Sequence, residues 1–417
     1  MKRWLVVGGG VAGCVVAARI KQRTGDLVTL AEAGRDHPGG PGDGPLLDDP
    51  GRLWDDCLVV RRPGHAPEPY PQGFGLGGSA LVNGAVATPD PADPGVEHLL
   101  PLTTPADLGV LGTAVLAASD RAAPVRLVGG AGTRVTPVDV YLRPLRGQVE
   151  HLYVRTGTRV RRLALDGRRV IGAVSTAGEE LDAEHTVVCA GAIHTPALLL
   201  RSGIDTPGVG VGLQDHPATS IRLTLTPEAA GDGAPAITVA VDGPGHQITV
   251  VNHMSGHPAI GALLPALMRV ASRGRVTLPD PDGPPLVELE QLTAAEDRAG
   301  LVAACREAFE LVDHPALRDI LEAAHAGGDA ATPVTSLAEM DDTALATWLE
   351  GHLGGYYHLA ASCPMGIVTD ELGHVHGYEG LSICDASLFP SLPPVGPYLP
   401  VVTMAERLTA RWAAMSA

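Results

Sequence analysis

The amino-acid sequence predicts an α/β fold with a Rossmann-like domain and an inserted α+β domain. Three observations predict this fold class. A glycine-rich strand–helix–strand pattern opens the chain, a buried strand and a helix follow near residue 190, and alternating strand patterns fill residues 218–354. We therefore expect a discontinuous domain formed by residues 1–217 and 355–417, and a second domain formed by residues 218–354.

The opening pattern has the spacing of a dinucleotide-binding βαβ unit. Gly8 permits a tight turn, Gly10 lets the backbone approach a pyrophosphate, and Gly13 lets the helix pack closely on the strand. Glu32 ends the second strand, where a carboxylate can accept hydrogen bonds from a ribose. This pattern leaves NAD(P) and FAD both open.

A secretory signal peptide is the alternative for this segment, since Lys2 and Arg3 precede an apolar run. Three consecutive glycines interrupt that run, and the strand that ends in Glu32 follows at βαβ spacing. We therefore favour the nucleotide site.

Composition excludes several classes of function. The formal net charge is −17 and Lys and Arg form no run, which argues against nucleic acid as a partner. The six cysteines are scattered without a C-x-x-C pair, which favours a cytoplasmic protein over a disulfide framework or a metal site. We expect no transmembrane segment, because the glycines break the only long apolar stretch.

Several elements can be predicted from local patterns. Residues 72–84 form a glycine-rich turn, and Asp166-Gly167 predicts a hairpin between residues 160–165 and 170–174. Residues 186–192 predict a buried parallel strand, followed by a helix over 195–201 with Pro196 in its first turn. Further helices are predicted over 296–313, 316–326 and 401–415.

Four separated stretches together resemble the glucose-methanol-choline (GMC) family of FAD-dependent oxidoreductases. They are the glycine-rich start, residues 73–84, residues 191–217, and residues 358–407 with their His358 and Asp385 segments. The resemblance implies an FAD-binding Rossmann-like domain of GMC type with an inserted α+β substrate domain built on an antiparallel sheet. It also implies oxidation of an alcohol by hydride transfer to flavin N5.

The resemblance assigns residues to the cofactor. Glu32 is expected at the adenosine ribose, Val160 at the adenine, and Asp385 on the flavin side near the start of the last helix. The full set of expected cofactor-binding residues is Gly8, Gly10, Val11, Ala12, Gly13, Glu32, Gly77, Gly78, Ser79, Asn83, Val160, Gly191, Asp385, Ala386, Pro400 and Val401.

His358 matches the family's catalytic histidine, which takes the alcohol proton. An imidazole suits this step, because its pKa allows it to accept a proton near neutral pH. The family usually places a second His or Asn where this chain has Tyr398. A phenol is a poor base at pH 7 but can orient an alcohol, so we expect His358 and Tyr398 to be catalytic.

Two other departures concern the cofactor. Gln72 stands where the family commonly has an arginine, which removes a charge near the pyrophosphate. Val82 stands where some relatives have a histidine bonded covalently to the flavin, so we expect non-covalent FAD.

The substrate and the electron acceptor stay open. Residues 272–275, the run 394–398 and the short middle segment resemble dehydrogenases thought to reoxidise the redox cofactor mycofactocin. The substrate is therefore a small alcohol or a reduced mycofactocin-like molecule, with pocket residues expected from 218–354, and the acceptor is oxygen, a quinone or a protein. A GMC-fold lyase with structural FAD and a catalytically degenerate flavin-binding protein are the alternatives.

Overall fold

The computed structural model describes residues 1–37, 47, 49–90, 95–130, 133–231, 233–254, 256–327 and 331–416. A five-stranded parallel sheet forms the centre of the nucleotide-binding part. Its strand order is Leu381–Ile383, His185–Val188, Arg3–Val7, Leu27–Ala31 and Leu152–Arg155. The strand predicted over 186–192 is buried and parallel, but it ends at Val188, and residues 191 and 192 begin the next helix.

Helices from the two ends of the chain pack together on this sheet. The first helix, Val11–Thr24, lies against the last helix, Tyr398–Ser416. Arg19 and Arg23 both pair with the buried Glu406, each at 2.7 Å. The N-terminal and C-terminal segments therefore share one apolar core.

A nine-stranded antiparallel sheet forms the second main layer. Its main path runs Thr332–Pro333, Leu321–Ala326, Ile221–Leu225, Ile260–Leu267, His246–Val251, Ile237–Gly243 and Ala122–Pro124, with Pro217–Ala218 and Gly354–Gly355 attached beside it. Five helices pack on this sheet and form with it a second apolar core. They are Gly109–Ala118, Ala295–Asp313, Pro315–Arg318, Val334–Ala338 and Asp342–Glu350. The predicted helix over 296–313 is confirmed.

Three smaller sheets complete the fold. One contains the predicted hairpin, Val160–Asp166 and Arg169–Ser175, together with Glu180–Asp182. The second contains Val211–Leu213, Gly274–Thr277, Leu286–Glu288, Leu58–Val60 and Glu68–Pro69, and the third Leu102–Thr103, Leu127–Gly130 and Thr133–Arg134. Short helical turns occupy Pro50–Arg52, Gly78–Leu81, Glu97–Leu99, Val138–Leu142 and Ala386–Leu388.

The two-domain division remains a proposal. Ala122–Pro124 joins the nine-stranded sheet from outside residues 218–354, while Gly274–Thr277 and Leu286–Glu288 pair with strands outside that range. Within the described residues, no helix combines the length and apolar character needed to cross a bilayer.

The predicted helix over 316–326 is wrong beyond its first turn. Only Pro315–Arg318 is helical, and Leu321–Ala326 is a strand that pairs with Ile221–Leu225. Its Leu, Glu and Ala residues favour a helix, but the hydrogen bonds offered by the neighbouring strand outweigh that preference.

The position of Pro196 also differs from the prediction. The helix begins at Gly191, so Pro196 lies inside it rather than in its first turn. Proline has no N–H, and it therefore leaves the Ala192 carbonyl without its usual helical donor. The hydroxyl of the buried Ser362 donates to that carbonyl at 2.6 Å and satisfies it.

Replacing this hydroxyl should destabilise the fold. We expect Ser362→Ala to lower the free energy of unfolding in urea by about 1 to 3 kcal/mol, because a buried carbonyl loses its partner. In a Pro196→Ala background, the new N–H can bond to Ala192, and the same substitution should cost clearly less. An equal cost in both backgrounds would contradict this account.

Candidate active site

A cavity of about 310 Å³ opens at the carboxyl ends of the central parallel strands. Gly8, Glu32, Gly191 and Asp385 line it, and each lies just beyond the end of a different strand. Parallel α/β sheets bind their ligands at this edge, and the volume is in the range of small-molecule and cofactor sites.

The glycine turns bring backbone close to this cavity. Gly8 has a φ of +98°, a backbone conformation that residues with a side chain rarely adopt. A Cβ on Gly13 would lie 1.9 Å from the Gly8 carbonyl oxygen. A Cβ on Gly78 would lie 2.7 Å from the Cα of Gly10, so the two glycine-rich segments touch. Side chains at these positions would collide with the backbone of neighbouring segments, so glycine lets the turns pack this closely beside the cavity.

Glu32 is buried beside these turns. Its Oε2 accepts a hydrogen bond from the Gly9 N–H and its Oε1 accepts one from the Gly34 N–H, both at 2.7 Å. Burial raises its pKa, although both amides oppose that shift. The carboxylate therefore connects the first glycine turn to the end of the second strand, a structural role that the motif did not reveal.

Asp385 connects two other segments. Its Oδ2 accepts hydrogen bonds from the Gly191 N–H at 2.8 Å and the Thr195 hydroxyl at 2.5 Å, and its Oδ1 accepts one from the Ser387 N–H. Burial raises its pKa. The structure thus places Asp385 at the start of the helix Gly191–Arg201, and the first residues of the last helix line the same cavity.

Most of the expected cofactor-binding residues line the same cavity. Those that do are Gly8, Gly10, Val11, Ala12, Glu32, Gly78, Ser79, Asn83, Val160, Gly191, Asp385, Ala386 and Val401. Gly13, Gly77 and Pro400 lie outside its lining. Gly77 donates its N–H to the Gly9 carbonyl and so supports the turn from behind.

His358 also lines the cavity, and a second histidine orients it. Its Nδ1 lies 2.9 Å from Nδ1 of the buried His216. Burial lowers the pKa of His358 to about 3 and places the pKa of His216 well below its usual value. Both rings are therefore neutral at physiological pH, and a single hydrogen is shared between the two Nδ1 atoms.

One arrangement of that hydrogen suits proton transfer. When His216 carries its own hydrogen on Nε2, its Nδ1 accepts the bond from His358. His358 then donates from Nδ1 and keeps a free lone pair on Nε2. A Cβ on Gly396 would lie 3.6 Å from this Nε2, so glycine keeps the approach to it open.

A buried carboxylate holds the backbone of His358. Asp215 accepts a hydrogen bond from the His358 N–H and another from the Tyr70 hydroxyl, at 2.8 and 2.9 Å. Burial raises the pKa of Asp215 to about 6. Sequence reasoning noted the Asp215-His216 pair as part of a family segment but gave it no role.

The position of Tyr398 does not support its expected role in the proton transfer. Its ring lines the cavity, but its hydroxyl is buried and has no hydrogen-bond partner among the described residues. Its electrostatic neighbours are Tyr141, Cys14 and Asp139, on the first helix and the turn that packs against it. The phenol therefore points into the protein rather than toward a ligand.

Residues 218–354 do not line the cavity in the described part of the chain, contrary to our expectation for the pocket. Instead, residues of this range bind Tyr356, which packs against the cavity residue His358. The hydroxyl of Tyr356 donates to Gln247 at 3.0 Å and also bonds to Thr249, while its ring packs edge-on against His358.

Comparison with known proteins identifies the family of this chain. Two models described as GMC oxidoreductase match residues 126–218 and 270–405, together more than half of the chain. The chain belongs to the GMC oxidoreductase family. Oxidoreductases of this family bind FAD.

Characterised relatives of this GMC oxidoreductase act on different small molecules. It is 26% identical to 5-(hydroxymethyl)furfural oxidase of Methylovorus sp., over 97% of both chains. It is also 26% identical to choline oxidase of Arthrobacter globiformis, over 97% of this chain and 93% of that one. The structure of pyridoxine 4-oxidase from Mesorbium loti superposes with a TM-score of 0.86, at 21% identity and 99% coverage of both chains. The predicted fold class is thereby confirmed.

The structural role of Glu32 can be tested without any cofactor. Glu32→Gln places an amide NH₂ where two backbone N–H groups need acceptors, so the apoprotein should lose about 1 to 3 kcal/mol of unfolding free energy. The exposed Glu180→Gln is the matched control and should be neutral. If the apoprotein of Glu32→Gln unfolds like the wild type, Glu32 does not tie these segments together.

Proposed function

We propose that this GMC oxidoreductase oxidises an alcohol by hydride transfer to N5 of a non-covalently bound FAD, with His358 as the base. The observation that carries the proposal is His358, which lines the same cavity as the glycine turns and Glu32 and is paired with the buried His216 behind it. One end of the cavity can thus hold a nucleotide while the base lies within the same space.

The cavity residues fit FAD. Glu32 retains lone pairs for ribose hydroxyls beside its two backbone bonds, and Gly10, Val11 and Ala12 present the start of the first helix to a pyrophosphate. FAD, when bound, accepts the hydride of the alcohol. Val82 is buried and carries no nucleophile, which supports non-covalent binding.

The chain's own contribution is to receive and hold the proton. The Nε2 lone pair of His358 accepts the hydroxyl proton, while the bond to His216 keeps the ring in the tautomer that allows it. Asp215 fixes the backbone of His358 at the cavity wall.

Replacing His358 should therefore slow anaerobic reduction of the flavin by an alcohol. We expect His358→Asn to lower the rate by about 10²- to 10⁴-fold, because the proton loses its acceptor. His376→Asn, at an exposed histidine outside the cavity, is the matched control and should reduce flavin at the wild-type rate.

The pH dependence of the flavin-reduction rate should distinguish the titration of His358 from that of Asp215. His358 stays neutral down to about pH 3, whereas Asp215 is charged above about pH 6 and neutral below it. The reduction rate should fall below pH 6 as the bond to His358 weakens, and Asp215→Asn should abolish this inflection. A wild-type rate that falls with the pKa of a free histidine, unchanged in Asp215→Asn, would contradict the assignment.

Non-covalent binding has a direct test. Denaturing the purified holoprotein in acid should release all of the yellow flavin into the supernatant, where its mass identifies it as FAD. Flavin that remains with the precipitated protein would show a covalent bond and contradict the proposal.

One set of anaerobic flavin-reduction experiments can define both the substrate class and the electron acceptor. Small alcohols and reduced mycofactocin are each mixed with the oxidised enzyme, and the reduced flavin is then exposed to oxygen or a quinone. The resemblance of residues 272–275 and 394–398 supports the inclusion of mycofactocin. Cleavage of a hydroxynitrile without loss of flavin colour would favour the lyase instead.

A further inference from the structure

The charged side chains that line the cavity are all engaged by the protein itself. Glu32 and Asp385 accept the backbone and hydroxyl bonds described above. Arg159 pairs with Asp56 at 3.1 Å, and Arg201 donates to the carbonyls of Pro281 and Gly283. Among the described residues, the cavity therefore offers a substrate no uncommitted charge.

The lining next to His358 is uncharged. Tyr357, Leu359, Gly396 and Pro397 form it. Asp215 lies close by, but its oxygens already accept from Tyr70 and from the His358 backbone. Arg61 lies behind this wall, where it pairs with Glu68 and donates to the Gly354 carbonyl. A charged substrate would lose its hydration here without gaining an uncompensated counter-charge, because the Asp215 carboxylate already interacts with the positive charge of Arg61.

Tyr357 is held in an uncommon conformation directly before His358. Its φ of +63° lies in the left-handed region, which residues other than glycine seldom adopt outside functional sites. A Cβ on Gly355 would lie 2.4 Å from its ring, so glycine is needed there. The ring packs edge-on against Tyr70, the residue that also binds Asp215. Tyr357 and His358 are thus positioned by the same buried pair, Tyr70 and Asp215.

The two phenols of the cavity differ in what their hydroxyls can reach. That of Tyr398 is buried among residues of the first helix and its neighbouring turn. That of Tyr357 makes no hydrogen bond within the described part of the chain, and it does not belong to the buried atoms that lack a partner. Tyr357 lines the cavity, and the charged groups around its phenol are Arg61, Asp215 and Glu68. Its hydroxyl is neither bonded to a described residue nor fully buried, so it is available to a ligand that reaches it.

We propose that the site takes an uncharged alcohol whose oxygen lies between His358 and Tyr357. This inference rests on the proposed oxidation. The hydroxyl proton passes to Nε2 of His358, the carbinol C–H leaves as a hydride to the flavin, and the C–O bond becomes a carbonyl. Tyr357 donates a hydrogen bond to that oxygen as it loses its proton, which stabilises the negative charge that develops on it.

The substrate class is tested by anaerobic flavin reduction with benzyl alcohol, 5-hydroxymethylfurfural and choline. For each alcohol, the limiting rate of flavin reduction is divided by the dissociation constant of that alcohol. This ratio should be at least about 100-fold higher for the uncharged alcohols than for choline. Equal or better reduction by choline would overturn the proposal. Failure of every alcohol, including reduced mycofactocin, to reduce the bound FAD would instead overturn the proposed oxidation on which it rests.

The role of Tyr357 is tested with two matched variants, Tyr357→Phe and Tyr398→Phe. Each removes one hydroxyl and keeps the ring. The probe is 2-phenyl-2-propanol, a tertiary alcohol without a carbinol hydrogen, whose binding is followed by the change in the flavin spectrum. Tyr357→Phe should raise its dissociation constant about 5- to 10-fold and slow reduction by benzyl alcohol, while Tyr398→Phe should change neither by more than about twofold.

Two results would overturn this role. One is wild-type binding and reduction in Tyr357→Phe, and the other is a larger effect of Tyr398→Phe than of Tyr357→Phe. Both variants must retain FAD and the wild-type melting temperature, and Tyr357→Leu, which also removes the ring, should be at least as impaired as Tyr357→Phe.

Discussion

The parallel pairing of strands from distant parts of the chain is the constraint on which the site depends. Leu381–Ile383 pairs with His185–Val188, which pairs with Arg3–Val7. Because parallel strands end at one edge of a sheet, the residues that follow them meet there. The long loop closures cost entropy, and burial of the sheet beneath the first and last helices offsets it.

Buried carboxylates then hold the segments that this sheet brings together. Glu32 joins two backbone turns, Asp385 joins the helix Gly191–Arg201 to the C-terminal segment, and Asp215 joins Tyr70 to His358. A buried carboxylate is tolerated only when its oxygens accept hydrogen bonds. The same bonds that compensate these charges therefore fix the geometry of the cavity, and its chemistry is left to neutral groups.

Local patterns predicted the elements whose conformation depends on neighbours in sequence. The Asp166-Gly167 hairpin and the helix Ala295–Asp313 form as expected. The predictions failed where distant partners decide. Leu321–Ala326 becomes a strand because Ile221–Leu225 lies beside it, and the helix at residue 195 starts earlier because Asp385 and Ser362 satisfy its polar groups.

Residue types and their spacing were sufficient to locate the glycine turns and Glu32, because backbone freedom and ionisable chemistry belong to single residues and short spacings, whereas His358 was found only through the family resemblance. They could not reveal that His216 faces His358, 142 residues away, or that Tyr398 turns its hydroxyl into the core while Tyr357 lines the cavity. The direction of a side chain and its hydrogen-bond partner depend on packing between segments far apart in the chain, and these contacts exist only once the sheets have assembled.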